Sequence, residues 1–177
     1  MLTTAKAGLI AALTMLLGGC ASNGLDRLAL QGPELHPALS THLLDKDTTR
    51  HIPHDVLQHN PQYSTDPEFV NAVVRSGSQG NLTASGIRSA LYALYDAQNN
   101  LGLYGLEAES AADADRIEQA LRSIWADNVS LERARVYRED RLLVVVWTDG
   151  VATEVWDAVN TTVAERLLAA ASTGLYH

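Results

Sequence analysis

Ile87-Arg88-Ser89-Ala90-Leu91-Tyr92-Ala93-Leu94-Tyr95-Asp96 decides the fold, because two periodicities compete in it. Ile87, Leu91 and Leu94 lie on one face of a helix. Against this stand Tyr92 and Tyr95, the Gln98-Asn99-Asn100 turn, and the β-like Leu101-Gly102-Leu103-Tyr104-Gly105-Leu106, which favour a strand. The strand reading is preferred because it makes the stretch the first half of an echo. Leu94-Tyr95-Asp96, a polar turn, Leu101 to Ala108 and a helix from Ser110 are matched by a second set of elements: Val136-Tyr137-Arg138, a tight turn at Glu139-Asp140, Leu142 to Thr148 and a helix from about Val151. The expected fold class is therefore α+β, a four-stranded antiparallel sheet built ββαββα with both helices on one face. A helix over 87–96 would instead give αβαββα with three strands.

The helices announce themselves at their ends. Asp66-Pro67-Glu68 offers a side-chain acceptor at the N-cap and a proline at the first helical position, where a missing N–H costs nothing. Phe69, Val70, Val73 and Val74 then form an apolar stripe. Ser110 with Asp113 three residues on resembles a capping box, and Ile117, Ala120, Leu121, Ile124 and Trp125 follow at helical spacing. In the last helix Val155, Trp156, Val159, Val163 and Leu167 form the stripe, with Gly174 just beyond.

All five prolines and five of the six histidines fall before Glu68. This shift divides the chain into three expected parts. Residues 1–19 read as an export signal, 20–65 as an irregular tether with short helical pieces, and 66–177 as a single α+β domain. The tether carries Leu28, Leu30, Leu35, Leu39, Leu43, Leu44, Val56 and Leu57, so part of it is expected to pack on the domain.

Residues 1–20 contain Lys6, an apolar run from Ala7 to Leu17, and Leu17-Gly18-Gly19-Cys20. This resembles the lipobox of bacterial lipoproteins, in which a branched apolar residue and two small residues precede the cysteine that becomes the lipidated N-terminus. The apolar run is too short for a membrane-spanning helix, which needs ~20 residues. The resemblance implies that Cys20 carries lipid and holds the protein to a membrane. Ala21 and Ser22 lack the aspartate that retains enteric lipoproteins at the inner membrane, which implies the outer membrane and its periplasmic side. Two or three acyl chains, at ~0.8 kcal/mol per buried methylene, make such an anchor durable.

Removal of Lys6 with the signal leaves 12 Lys+Arg against 21 Asp+Glu, 12 − 21 = −9, so nucleic-acid binding is not expected. Cys20 is the single cysteine, and without it for a disulfide, stability must come from a packed core. Nucleophilic catalysis lacks parts: the 66–177 stretch has no cysteine, its one histidine is His177, and Gly-x-Ser-x-Gly is absent. A non-enzyme with no cofactor is expected. The alternative is a metal-binding lipoprotein in which His51, His54 and His59 hold zinc or copper, although Pro53 interrupts the run and no HExxH is present. The acidic cluster Glu107, Glu109, Asp113, Asp115 and Glu118 falls at a helix N-terminus, where the macrodipole favours negative charge without catalysis.

Alternation on the last hairpin yields a candidate interaction face. Arg133, Arg135 and Tyr137 are expected to share one side with Leu143, Val145 and Trp147, opposite Ala134, Val136, Leu142, Val144 and Val146. Both sides of 142–148 are apolar, so something must cover the Leu143, Val145 and Trp147 side: the tether and the Phe69 to Val74 helix, an envelope protein partner, or a second copy.

Overall fold

The computed structural model describes residues 24–44, 52–126 and 133–173. In chain order they form a 3-10 helix Leu25–Leu28, helix α1 Gly32–Leu35, strands β1 Ser40–Thr41 and β2 Gln62–Ser64, and helix α2 Pro67–Gly77. Strands β3 Ile87–Asp96 and β4 Asn100–Ala108 follow, then helix α3 Ala111–Ala126, strands β5 Arg133–Glu139 and β6 Leu142–Thr148, and helix α4 Thr153–Thr173. The ambiguous stretch is thus a strand throughout. The expected helix starts have local causes: Asp66 Oδ1 accepts from the N–H of Glu68 at 2.9 Å and of Phe69 at 3.2 Å, and Ser110 Oγ accepts from the N–H of Asp113 at 3.1 Å.

Six strands form one antiparallel sheet in the order β1-β3-β4-β6-β5, with β2 sharing the outer edge of β3 with β1. The expectation of four strands, or of three, is corrected by β1 and β2. Both come from the proline-containing stretch before Asp66, and strands of two and three residues are too short to show alternation. Asn60 bridges the gap between them. Its Nδ2 donates to the carbonyls of Leu94 and His42, and its Oδ1 accepts from the N–H of Leu94 at 2.9 Å, so a side chain completes the ladder on β3.

The expectation of both helices on one face is also corrected. Helix α4 lays Val155, Trp156, Val159 and Val163 on the sheet face that carries Leu103, Val144 and Val146. Helix α3 lays Ala114, Ile117 and Leu121 on the opposite face, with Leu106, Leu143 and Val145, and α2 adds Phe69, Val70, Val73 and Val74 there. The cause is visible in β6, where Leu142, Leu143, Val144, Val145 and Val146 are all buried, so neither face can be left to water. A two-fold axis relating antiparallel neighbours such as β4 and β6 would stand normal to the sheet and keep both helices on one face. Their opposite placement means that the two ββα units share an order of elements and no symmetry.

The stretch before Asp66 is built into both layers. Leu25, Leu28, Leu30, Leu35 and Leu39 fill the α4 side, whereas Ile52 and Leu57 join α2 and α3 on the other. The Tyr95 hydroxyl, buried on the α4 side, donates to the carbonyl of Leu30 at 2.8 Å, and burial pushes its pKa well above the ordinary phenol value. On the α3 side two glycines make room for rings. A Cβ at Gly77 would lie 2.1 Å from the Tyr104 ring, and one at Gly102 would lie 2.3 Å from the indole of its cross-strand partner Trp147.

Candidate functional site

The hairpin β5-β6 turns on Asp140 and Arg141, not at Glu139-Asp140, with Asp140 at φ 51° and Glu139 opposite Leu142. This register decides which side chains share a face. Arg133 pairs with Thr148, Arg135 with Val146 and Tyr137 with Val144, while Ala134 pairs with Trp147, Val136 with Val145 and Arg138 with Leu143. The expected interaction face is therefore split between two sides of the sheet. Arg133, Arg135 and Tyr137 lie on the α4 side. Leu143 and Val145 are buried on the opposite side among residues of α2 and α3, and Trp147 is half-buried over Gly102. A turn at Glu139-Asp140 would also set Tyr137 and Arg135 on the α4 side, opposite Leu142 and Val144, because moving a two-residue turn by one position shifts the pairing by two. The expected grouping with Leu143, Val145 and Trp147 is one residue out of phase with either turn, and one residue is enough to move a whole strand to the other side.

What the register does bring together is a basic cluster on β5 and α4. The guanidinium carbon of Arg133 stands 5.3 Å, and that of Arg135 5.8 Å, from the centroid of the Trp156 ring, within cation–π range. Trp156 itself is buried by α4 packing. Arg133 also donates from Nη2 to the carbonyl of Val151. That carbonyl is fixed by the turn after β6, where Thr148 Oγ1 accepts from the N–H groups of Gly150 and Val151, each at 3.1 Å, and donates to the Asn100 carbonyl. Four positions on from Arg133, Tyr137 donates its hydroxyl to Asn160 Oδ1 at 2.6 Å, and Asn160 Nδ2 donates to the Trp156 carbonyl. The α4 face of β5 is thus a row of polar heads on aromatic and amide supports, with Arg135 exposed. In a chain of net charge −8, four arginines within 133–141 stand apart from the rest of the surface.

On the other side of β5 the acidic cluster finds its cations. Arg138 Nη1 lies 2.5 Å from Asp115 and 2.9 Å from Glu118, and Arg122 binds Glu118 at 2.7 Å. Hydrogen bonds from Arg138, then Arg122, hold the Glu118 carboxyl below its usual range, whereas burial pushes it up by less. A depressed carboxylate stabilises the fold above its unfolded-state pKa, and that contribution is lost as pH falls through the folded value. Arg138→Gln is therefore expected to lower stability by about 1 kcal/mol at neutral pH, the scale of a partly exposed ion pair. The gap should close as pH drops below about 4. Denaturant titrations of both chains at the two pH values check it, and a gap that persists in acid would contradict the assignment. Asp113 is lowered likewise by Ser110 and Arg116, and Glu107 meets Arg88 and Ser89, so Glu107, Asp113, Asp115 and Glu118 of this cluster serve caps and ion pairs.

Of the three candidate metal ligands, His54 and His59 are exposed and His51 lies outside the described residues; among the described residues no three His, Cys, Asp or Glu side chains are grouped to hold a metal. A contact invisible to sequence spacing involves His42, whose Nδ1 meets Asp96 Oδ1 across 54 residues of chain, while its Nε2 is buried without a hydrogen-bond partner. The pair ties the end of β1 to the end of β3. Cys20 lies outside the described residues.

No family model matches the chain, and no curated protein or solved structure matches it either.

Proposed function

We propose that the protein is a lipid-anchored lipoprotein of the outer membrane, facing the periplasm and acting there as a non-catalytic interaction or structural module. The observation that carries the anchoring is Leu17-Gly18-Gly19-Cys20 after a basic start and a short apolar run. Two features support an interaction role. Both sheet faces are closed by the chain's own helices, which leaves recognition to an edge. That edge, β5, carries arginines held on Trp156 and on Asp115 and Glu118, and stacked or paired arginines are the side chains interfaces favour as anchors.

The anchoring has a direct test. A cell expressing the full chain and fed a labelled fatty-acid analogue should incorporate label into the wild type and none into Cys20→Ser, since no other cysteine can form the thioether. The wild type should stay with membranes until detergent is added. Equal labelling of the two chains would remove the reading.

A further inference from the structure

The two edges of the sheet are treated differently. The outer edge of β3 is taken up by β1, Asn60 and β2, whereas β5, seven residues long, pairs with β6 alone among the described residues. The two-residue turn settles which backbone groups remain. Glu139 and Leu142 flank it as a mutually hydrogen-bonded pair, so Tyr137, Arg135 and Arg133 also turn their N–H and C=O toward β6. Ala134, Val136 and Arg138 turn theirs outward. A long strand with no proline on its open edge is a template for another strand, and what it accepts depends on its side chains.

We propose that this edge is the interface between two copies of the chain, with β5 pairing antiparallel to β5 of the second copy about Val136. Charge selects the register. Centred on Val136, all seven residues pair: Arg133 faces Glu139 of the second copy, Arg135 faces Tyr137, Ala134 faces Arg138, and Val136 faces itself. Outward groups meet outward groups in this arrangement. Centring on Ala134 or Arg135 sets arginine against arginine, and so does centring on Arg138. Centring on Tyr137 opposes Arg135 to Glu139 but shortens the ladder to five residues. Opposite charges directly across a pair stabilise and like charges destabilise, so the Val136 register is favoured on both length and charge. The two copies of Arg135, diagonal to each other, are each drawn back over Trp156 of their own chain. This inference deepens the interaction-module reading and rests on the anchoring only for the raised local concentration of two copies in one leaflet.

Thiol oxidation of the full chain in envelopes tests it. Paired this way, two Val136 residues lie ~5.5 Å apart between Cα atoms, within disulfide reach. Two Ala134 residues are offset by four positions, roughly 14 Å. Val136→Cys should therefore give a disulfide-linked dimer and Ala134→Cys should not. Adding Glu139→Arg to Val136→Cys should cut the dimer about tenfold, and adding Arg133→Glu as well should restore it. Absence of dimer with Val136→Cys, equal dimer at both positions, or no rescue by the double charge exchange would each overturn the proposal. The same variants in a Cys20→Ser chain keep the two readings apart. A dimer of the otherwise unaltered chain through Cys20 would count against lipidation, while the Val136 arm still decides the interface.

Discussion

A chain that begins at Asp66 is expected not to fold, although composition alone would place the domain boundary there. Deleting the preceding residues removes the 3-10 helix, α1, β1 and β2, and with them Leu25, Leu28, Ile52 and Leu57, none more than 1% exposed. The deleted segment's own ordering entropy is recovered, so its buried area is not the measure of the loss. The measure is what it leaves behind. Leu91 and Tyr95 lose their cover on the α4 side, Tyr95 loses the Leu30 carbonyl, and the α4 residues against which the 3-10 helix and α1 pack become exposed. At about 1.5–3 kcal/mol for each large side chain uncovered, three of them amount to about 5–9 kcal/mol, comparable with a whole domain's stability of about 5–15 kcal/mol. Beyond this, β3 is left as an open edge. Denaturant unfolding of chains starting at Ala21 and at Asp66 checks the expectation: the longer should show one sharp transition, the shorter none. A sharp transition in the shorter chain at an unchanged midpoint would make the early stretch a tether after all.

The parts of the fold that sequence pattern reveals are those with enough residues to establish a period or a local cap. The strand over 87–96, the hairpin after it, and the helices after Asp66 and Ser110 are of this kind, because their signals lie within a turn or two of chain. Missed elements depend on long-range pairing. Strands β1 and β2 are defined by β3, and Asn60 acts as a ladder rung only because Leu94 lies beside it, 34 residues away. The His42–Asp96 contact has no local signature for the same reason. The apolar character of both sides of β6 was legible in Leu142 to Val146, and it already demanded two cover layers. Placing one layer of helices contradicted that demand, and the opposite-face arrangement resolves it. At the site, the arginines of β5 were legible as a group. Their partners were not, because a one-residue slip in register replaced Trp156 and Asn160 with Leu143 and Val145 as neighbours.

Leu103→Ala and Leu143→Ala are expected to destabilise the protein by similar amounts, about 2–5 kcal/mol each, since both side chains are fully buried and neither site can close over the cavity without moving a helix. Leu103 lies on the α4 face and Leu143 on the α3 face, so the two variants report on two different layers. A sheet covered on one side would lose stability at only one of them. Urea midpoints, with the slope unchanged so that the unfolded state is not implicated, provide the comparison. A Leu143→Ala chain within about 0.5 kcal/mol of the wild type, the range of surface substitutions, would mean that its face is open to solvent. If both fall as expected, the sheet has no free face, and its remaining capacity for partners is the β5 edge. Changes on that edge should then behave oppositely to the two leucines. Glu139, opposite Leu142 beside the turn and facing Arg133 of the second copy in the proposed pairing, contributes little to the core, so Glu139→Gln should weaken association while leaving the urea midpoint nearly unmoved.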